Sequence, residues 1–283
     1  MTDPAARPVR TIGILGGGQL GRMLALAGAR LGLRSVVYCP DPDSPAFEVA
    51  AEHVVAAYED EAALADFAAR VDVVTYEFEN VPAVTATVLA ARVPVRPGPG
   101  SLEVSQDRLA EKTFLAGLGI PTAPFRAVDD RADLEAGLAE VGFPAVLKTR
   151  RFGYDGKGQA KITTPDDVAP ALAAMNGAPA ILEGWVPFSR EVSVLTARGV
   201  DGRMVTYDVP ENQHRQHILK YSRVPAGLTA HTEARARAIG EAVAAALDHV
   251  GVLAVELFLV ETAEGERLIA NEIAPRVHNS GHW

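Results

Sequence analysis

Short apolar runs alternate with stretches of helical spacing through the first hundred positions. Thr11–Leu15, Ser35–Cys39, His53–Ala57, Val71–Glu77 and Val93–Arg96 predict strands. Arg22–Leu31, Glu61–Ala69 and Pro82–Ala91 fall between them and predict helices, the first stopped by Gly32. Strictly alternating strands and helices build a doubly wound, mostly parallel sheet, which places this region in the α/β class. The Pro97-Gly98-Pro99-Gly100 cluster marks its end. A helix over Gln106–Leu118 follows, with Ser105 as its expected cap, and then a smaller α/β segment: helix Leu134–Val141, strand Pro144–Lys148, strand Gln159–Thr163, a helix capped at Thr164, and strand Ala180–Glu183.

The pattern changes at Arg190. Arg190–Arg198 alternates, Asp201-Gly202 turns it, and Met204–Val209 returns, as in an antiparallel hairpin. Thr232–Val250 has an amphipathic line through Ile239, Val243, Leu247 and Val250. Val252–Val260 is an almost unbroken apolar run, so it predicts a strand buried on both faces, interrupted only by Glu256. Arg267–Ala274 follows after a turn over Thr262–Glu266. A hairpin centred on Glu264 sets Glu256 opposite Glu272. Two ionised carboxylates so close repel, and burial raises the cost. Either a cation such as Arg276 neutralises them, or a Mg²⁺ ion shared with phosphate oxygens does.

Composition narrows the possibilities. The chain has 283 residues, 48% of them hydrophobic, with a net charge of −9, and no concentrated basic patch marks a nucleic-acid surface. Cys39 is the single cysteine, which excludes a disulfide framework and a cysteine-based metal site. No apolar run is long enough to span a bilayer, and the first ten residues lack the apolar core of a signal peptide. A cytoplasmic location is expected, with no membrane or nucleic-acid partner.

Two glycine-rich turns carry candidate chemistry. Gly16-Gly17-Gly18-Gln19-Leu20-Gly21 after the first strand is a G-x-G-x-x-G fingerprint, followed by Asp41. Taken literally it predicts a dinucleotide site and a nicotinamide-dependent oxidoreductase, but the same turn also serves simple packing. The second loop carries Gly153, Gly156 and Gly158 among Arg150, Arg151, Lys157 and Lys161, directly after Lys148. Such a loop suits a polyphosphate. Glu77 and Glu79 end a strand where such sheets bind ligands; Glu77 reads as a solvated loop acid. Arg108 and Lys112 share a helix face and read as solvated charges.

Lys148 with its glycine loop, a Glu at a strand end and two opposed acids describe a nucleoside triphosphate held between two α/β units. Here the sequence resembles the ATP-grasp superfamily and, within it, the 5-(carboxyamino)imidazole ribonucleotide synthases of purine biosynthesis, from about Thr11 to Trp283. The resemblance is carried by the runs Ile14–Met23, Tyr76–Asn80, Gly153–Gln159 and Asn271–Trp283. It implies an ATP-grasp fold with an N-terminal Rossmann-like (pre-ATP-grasp) domain over residues 1–100, a linker helix and small lid domain over 101–185, and a C-terminal ATP-grasp domain over 186–283. It implies that ATP and Mg²⁺ serve to phosphorylate bicarbonate to carboxyphosphate, which carboxylates the amine of aminoimidazole ribonucleotide.

Matched position by position, the resemblance assigns ATP to Arg108, Lys148, Gly153, Tyr154, Asp155, Gly156, Lys157, Gly158, Gln159, Glu183, Gly184, Trp185, Val186, Glu191, His214, Asn271 and Glu272. Glu256 and Glu272 hold the metal. Gln19, Leu20, Glu79, Tyr154, Asp155, Arg276, His278, Asn279 and Ser280 line the ribonucleotide side. Asp155, Tyr154 and Arg276 are the catalytic candidates, with Asp155 as base. The resemblance also implies a homodimer. Members of the family continue beyond the Ser-Gly-His-Trp string, so a shortened chain is expected. A formate-using ribonucleotide transformylase and a biotin carboxylase are the neighbouring alternatives within the superfamily.

Overall fold

The first strands form because β-branched and aromatic side chains at Ile14, Val36, Val37, Val74 and Tyr76 are buried between helices. A computed structural model describes residues 9–153 and 157–283. Met1–Pro8 lie outside the described residues, as do Tyr154, Asp155 and Gly156 of the second glycine loop. The chain divides into one unit of residues up to Leu102 with His249–Gly251, and a second of Glu103–Asp248 with Val252–Trp283.

In the first unit the order is β1 (Thr11–Leu15), α1 (Gln19–Arg30), β2 (Arg34–Tyr38), β3 (Glu52–Val54), α2 (Glu61–Ala68), β4 (Val73–Tyr76) and α3 (Ala83–Ala90). The strands lie parallel in the order β3-β2-β1-β4, the doubly wound arrangement that the alternation predicts. The predicted strand Val93–Arg96 reduces to a single bridge, Val74 to Val95. A helix, α4 (Pro99–Ser105), occupies the proline-glycine cluster read as a terminator.

The second unit begins with α5 (Arg108–Gly117). Its cap is Asp107, whose carboxylate accepts from Leu109 and Ala110, and not Ser105, which closes the preceding helix. Next come β5 (Phe125–Val128), α6 (Arg131–Val141), β6 (Ala145–Thr149), β7 (Gln159–Ile162), α7 (Val168–Ala174) and β8 (Ala180–Gly184). These strands pair antiparallel in the order β5-β8-β6-β7 around a core of Leu134, Leu147, Ile162 and Leu182. The remainder is β9 (Arg190–Arg198), β10 (Met204–Thr206), β11 (Glu211–Arg215), β12 (Ile218–Arg223), α8 (Ala230–Ala246), β13 (Gly251–Thr262) and β14 (Gly265–Ala274). Their sheet runs β12-β11-β9-β13-β14, with β10 paired to β9, and α8 packs Ile239 and Val243 onto it. Among the described residues no helix is long and apolar enough to cross a membrane.

Candidate active site

The site is built on the β13–β14 hairpin. Its closing pair is Thr262 with Gly265, a register that carried inward unbroken would set Glu256 against Asn271. The ladder slips by one residue beside Leu257, Asn271 becomes the extra residue, and Glu256 faces Glu272. The expected opposition is therefore correct, but the β-bulge produces it rather than a turn centred on Glu264. A bulge of this kind re-aims side chains where a strand meets a functional site.

Helix α5 grips the strand around that bulge. Arg108 donates to Glu272 Oε2 at 3.1 Å, and Glu111 accepts the Ile273 N–H at 2.6 Å. Lys112 Nζ donates to the Ala270 carbonyl at 3.3 Å. Positions 108, 111 and 112 share the i, i+3, i+4 face that continues to buried Leu115, so charged residues occupy a core stripe. The expectation of solvated charges at Arg108 and Lys112 fails: Lys112 is 1% exposed. Helical spacing was the available signal. Burial, and then the charge of Glu272, push the Glu111 carboxyl up to about 8. Burial opposes ionisation of Glu272 as well, but Arg108, with Lys148 behind it, more than offsets this and holds that carboxyl below its ordinary range.

A second cluster surrounds Glu183 on β8. Lys148 from β6 reaches Oε2 at 3.0 Å and Lys112 reaches the same oxygen at 3.3 Å. Oε1 is buried and has no hydrogen-bond partner among the described residues. Burial disfavours the charge on Glu183, yet the two ammonium groups more than offset this and lower its pKa. The strand that should carry adenine contacts continues to Trp185, whose N–H donates to the Pro144 carbonyl at 3.1 Å and whose ring lies 3.9 Å beneath the Lys161 ammonium.

The glycine loop is pinned at its base. Thr149 N–H donates to the Gly158 carbonyl at 2.7 Å, and Gly158 has φ +69° with a Cβ position only 2.5 Å from Thr149 Oγ1, so glycine is required there. Arg108 Nη2 donates to the Gly153 carbonyl at 3.3 Å, joining the loop to Glu272 through one guanidinium. Arg150 makes a two-pronged contact with Asp107 at 2.8–3.1 Å. The assignments to Tyr154, Asp155 and Gly156 lie outside the described residues.

Glu191 on β9 and His214 on β11 form a close ion pair. The hydrogen bond that the Glu191 carboxylate accepts from the ring raises the His214 pKa against partial burial. His214 should therefore titrate above the ordinary histidine value of about 6.5. The pair's stabilisation is full below that value and is lost as pH rises through the folded-state pKa. An NMR titration of the ring protons should show this, and Glu191→Gln should return the midpoint toward about 6.5.

Near the end of the chain, His278 Nε2 lies 3.1 Å from Glu256 Oε1, and its Nδ1 is 2.8 Å from Ser280 Oγ. Ser280 is fully buried, and Ser193 also contacts its hydroxyl at 2.7 Å. The hydroxyl of Ser280 is thus engaged by both His278 and Ser193. Asn279 is exposed and Arg276 half-buried. In the first unit Gln19 is exposed at the start of α1 and Glu79 is half-buried. Glu77 is not a solvated loop acid: it is 6% exposed, and its carboxylate accepts from the N–H groups of Gly18 and Gly21.

Mg²⁺ is content with one or two carboxylates when phosphates complete its shell. Glu256 and Glu272, opposed and adjoining Asn271, fit that requirement. No cluster of three or more His, Cys, Asp or Glu able to hold a metal occurs among the described residues.

Residues 9–106 match the ribonucleotide synthetase preATP-grasp domain family, and residues 113–283 match the ATP-grasp domain family. A protein of Brucella melitensis named N5-carboxyaminoimidazole ribonucleotide synthase is 50% identical, over 100% of this chain and 78% of that protein. The crystal structure of N5-carboxyaminoimidazole ribonucleotide synthetase from Thermus thermophilus superposes with a TM-score of 0.89 at 51% identity, covering 96% of this chain and 73% of that one. The Aspergillus clavatus enzyme, solved in complex with ADP and 5-aminoimidazole ribonucleotide, superposes with a TM-score of 0.87 at 30% identity, covering 96% and 71%.

Proposed function

The chain belongs to the N5-carboxyaminoimidazole ribonucleotide synthase family of ATP-grasp enzymes, and from that membership we propose how its residues divide the reaction. It is an ATP-dependent, C–N bond-forming ligase that carboxylates aminoimidazole ribonucleotide in purine biosynthesis. The proposed carbon source is bicarbonate. Its oxygen attacks the γ-phosphorus of ATP, ADP leaves, and carboxyphosphate forms. Carboxyphosphate then breaks down to phosphate and CO₂, and the ribonucleotide amine attacks the carbon while losing a proton.

Arg108, Lys148 and the Gly153–Gln159 loop hold the phosphates, where positive charge offsets what accumulates on the transferring group. Glu183 and the Gly184-Trp185-Val186 backbone receive adenine, and Glu191 with His214 receives the ribose side. Glu256 and Glu272, with Asn271 beside them, would hold Mg²⁺, which supplies further neutralisation of phosphate oxygens when bound. Asp155 takes the amine proton, with Tyr154 and Arg276 beside the reacting groups. His278, Asn279, Gln19, Leu20 and Glu79 bind the ribonucleotide. A homodimer in the cytoplasm completes the proposal.

The observation that carries this division is the bulge that turns Glu272 toward Glu256 while Arg108 reaches both Glu272 and the glycine loop. The test is ADP release with and without aminoimidazole ribonucleotide and bicarbonate. Stimulation that requires both supports the reading, and absence of stimulation overturns it.

A further inference from the structure

A line of side-chain hydrogen bonds runs from β12 at the sheet edge to Glu256 on β13. It starts at the exposed Ser222, whose hydroxyl donates to Asn212 Oδ1 on β11 at 2.8 Å. The Asn212 amide donates in turn to Ser193 Oγ on β9 at 2.9 Å. Ser193 meets Ser280 hydroxyl to hydroxyl at 2.7 Å, and Ser280 Oγ lies 2.8 Å from His278 Nδ1. His278 Nε2 then reaches Glu256 Oε1 at 3.1 Å. Asn212, Ser193, Ser280 and His278 are all buried, so a lost partner anywhere along the line is costly.

The line has a direction. A hydroxyl has one proton to give, whereas an amide nitrogen can only donate. Ser193 Oγ accepts from the Asn212 amide, and the acceptor within reach of its own proton is Ser280 Oγ. Ser280 can then pass its proton on to His278 Nδ1. The backbone agrees independently, because the Ser280 N–H also points at Nδ1, at 3.4 Å, in the 3₁₀ turn Asn279–Gly281. A ring nitrogen that accepts carries no proton, so the ring proton sits on Nε2 and is aimed at Glu256.

We propose that Asn212 and Ser193 are positioning residues for Glu256. They set the direction of the line, hold His278 in its Nε2–H form, and so fix one carboxylate oxygen of Glu256 while the group is presented to Mg²⁺. Partners behind a metal ligand orient it in this way and select the tautomer of an intervening histidine. The inference rests on the proposed assignment of Glu256 to Mg²⁺.

Ring ¹⁵N labelling of the histidines reads the tautomer in the full chain without nucleotide, the His278 signals being those lost in His278→Gln. Nδ1 should resonate as an unprotonated nitrogen and Nε2 as a protonated one; the opposite pattern overturns the proposal. Asn212→Asp replaces the amide donor by an acceptor at almost unchanged shape. Ser193 should then give its proton to the new carboxylate, the line reverses, and the ring proton moves to Nδ1. In thermal unfolding with ADP, the Mg²⁺ concentration at half of the maximal shift should rise about tenfold to a hundredfold, the range for losing a partner of a metal ligand. Ser193→Ala breaks the line without reversing it, so its rise should be the smaller of the two. If Asn212→Asp does not fold, Ser193→Ala becomes the test, with a mixture of tautomers and a raised Mg²⁺ midpoint as the supporting result. An unchanged midpoint in the variant that folds overturns the proposal. So does a raised midpoint with the tautomer unchanged, which marks a merely structural residue. Glu256→Gln separates the underlying assignment: if it leaves the Mg²⁺ midpoint unchanged, the assignment fails and the proposal with it. If it raises that midpoint while Asn212→Asp does not, only the role of the line fails.

Discussion

Glu272→Gln should remove ATP-dependent carboxylation while leaving the fold standing. The loss expected in kcat is about a hundredfold or more, the range for deleting a group that stabilises charge in a transition state. Glu272 faces Glu256 across the ladder, and directly opposed side chains have Cβ atoms only ~4.5–5.5 Å apart. Two carboxylates at that spacing repel unless cations answer them. Arg108 answers Glu272 at 3.1 Å and His278 stands 3.1 Å from Glu256, a balance that an ion shared with nucleotide phosphates would complete. Glutamine keeps the volume and the bulge but removes the charge. The apo protein should melt within a few degrees of the parent, because a repulsion is relieved and Arg108 keeps the Gly153 carbonyl. The discriminating measurement is thermal unfolding with ADP, with and without Mg²⁺. A ligand at a hundredfold over its Kd stabilises by about 2.7 kcal/mol, and the Mg²⁺-dependent part of that shift should disappear in the variant. Retention of the Mg²⁺-dependent shift together with normal turnover would exclude Glu272 as a metal ligand.

The parallel sheet of the first unit and the β13–β14 hairpin were legible because apolar periodicity alone specifies them. The strands that periodicity missed are polar. Glu211–Arg215 and Ile218–Arg223 show no clean alternation, and they become strands by pairing in sequence onto β9 at the edge of the sheet. The opposition of Glu256 and Glu272 was anticipated, but its cause was not: a bulge at Asn271 is a local irregularity with no periodic signal. Buried charge was hardest to foresee. Glu77, Glu111 and Lys112 sit among positions that pattern rules assign to solvent, because those rules count a charge as exposed unless its partner is known. Their partners are Gly18 and Gly21, the Ile273 N–H, and Glu183, at sequence separations that no local window spans. The ligand-level reading came from resemblance in the Gly153–Gln159 and Asn271–Trp283 runs, and composition alone would have left it open.

The largest stability effect should come from Glu183→Met. Lys112 is 1% exposed and Glu183 3%, so each has surrendered its hydration to be there. Among the described residues, Glu183 is the single carboxylate that contacts both Lys112 and Lys148. Removing it leaves a buried ammonium that has lost its ion-pair partner and keeps a hydrogen bond to the Ala270 carbonyl, and breaking a buried pair from one side costs about 3–5 kcal/mol. For a unit of this size that lowers the melting temperature by on the order of 10 °C. Lys112→Met should behave differently. Glu183 keeps Lys148 at 3.0 Å, the desolvation of one ammonium disappears, and methionine fills similar volume, so the loss should stay below about 1.5 kcal/mol. The double variant Glu183→Met/Lys112→Met should then be more stable than Glu183→Met alone, since the orphaned charge is gone. Chemical denaturation of the four proteins measures that coupling directly. If the two single losses simply add, Lys112 does not depend on Glu183 for its charge. If they couple as expected, Glu183 is the counter-ion that permits a lysine inside the core. Under the proposed assignment of Lys148 to the ATP phosphates, Lys112 then keeps Glu183 neutralised when Lys148 turns away, which links the electrostatics of the core to the nucleotide.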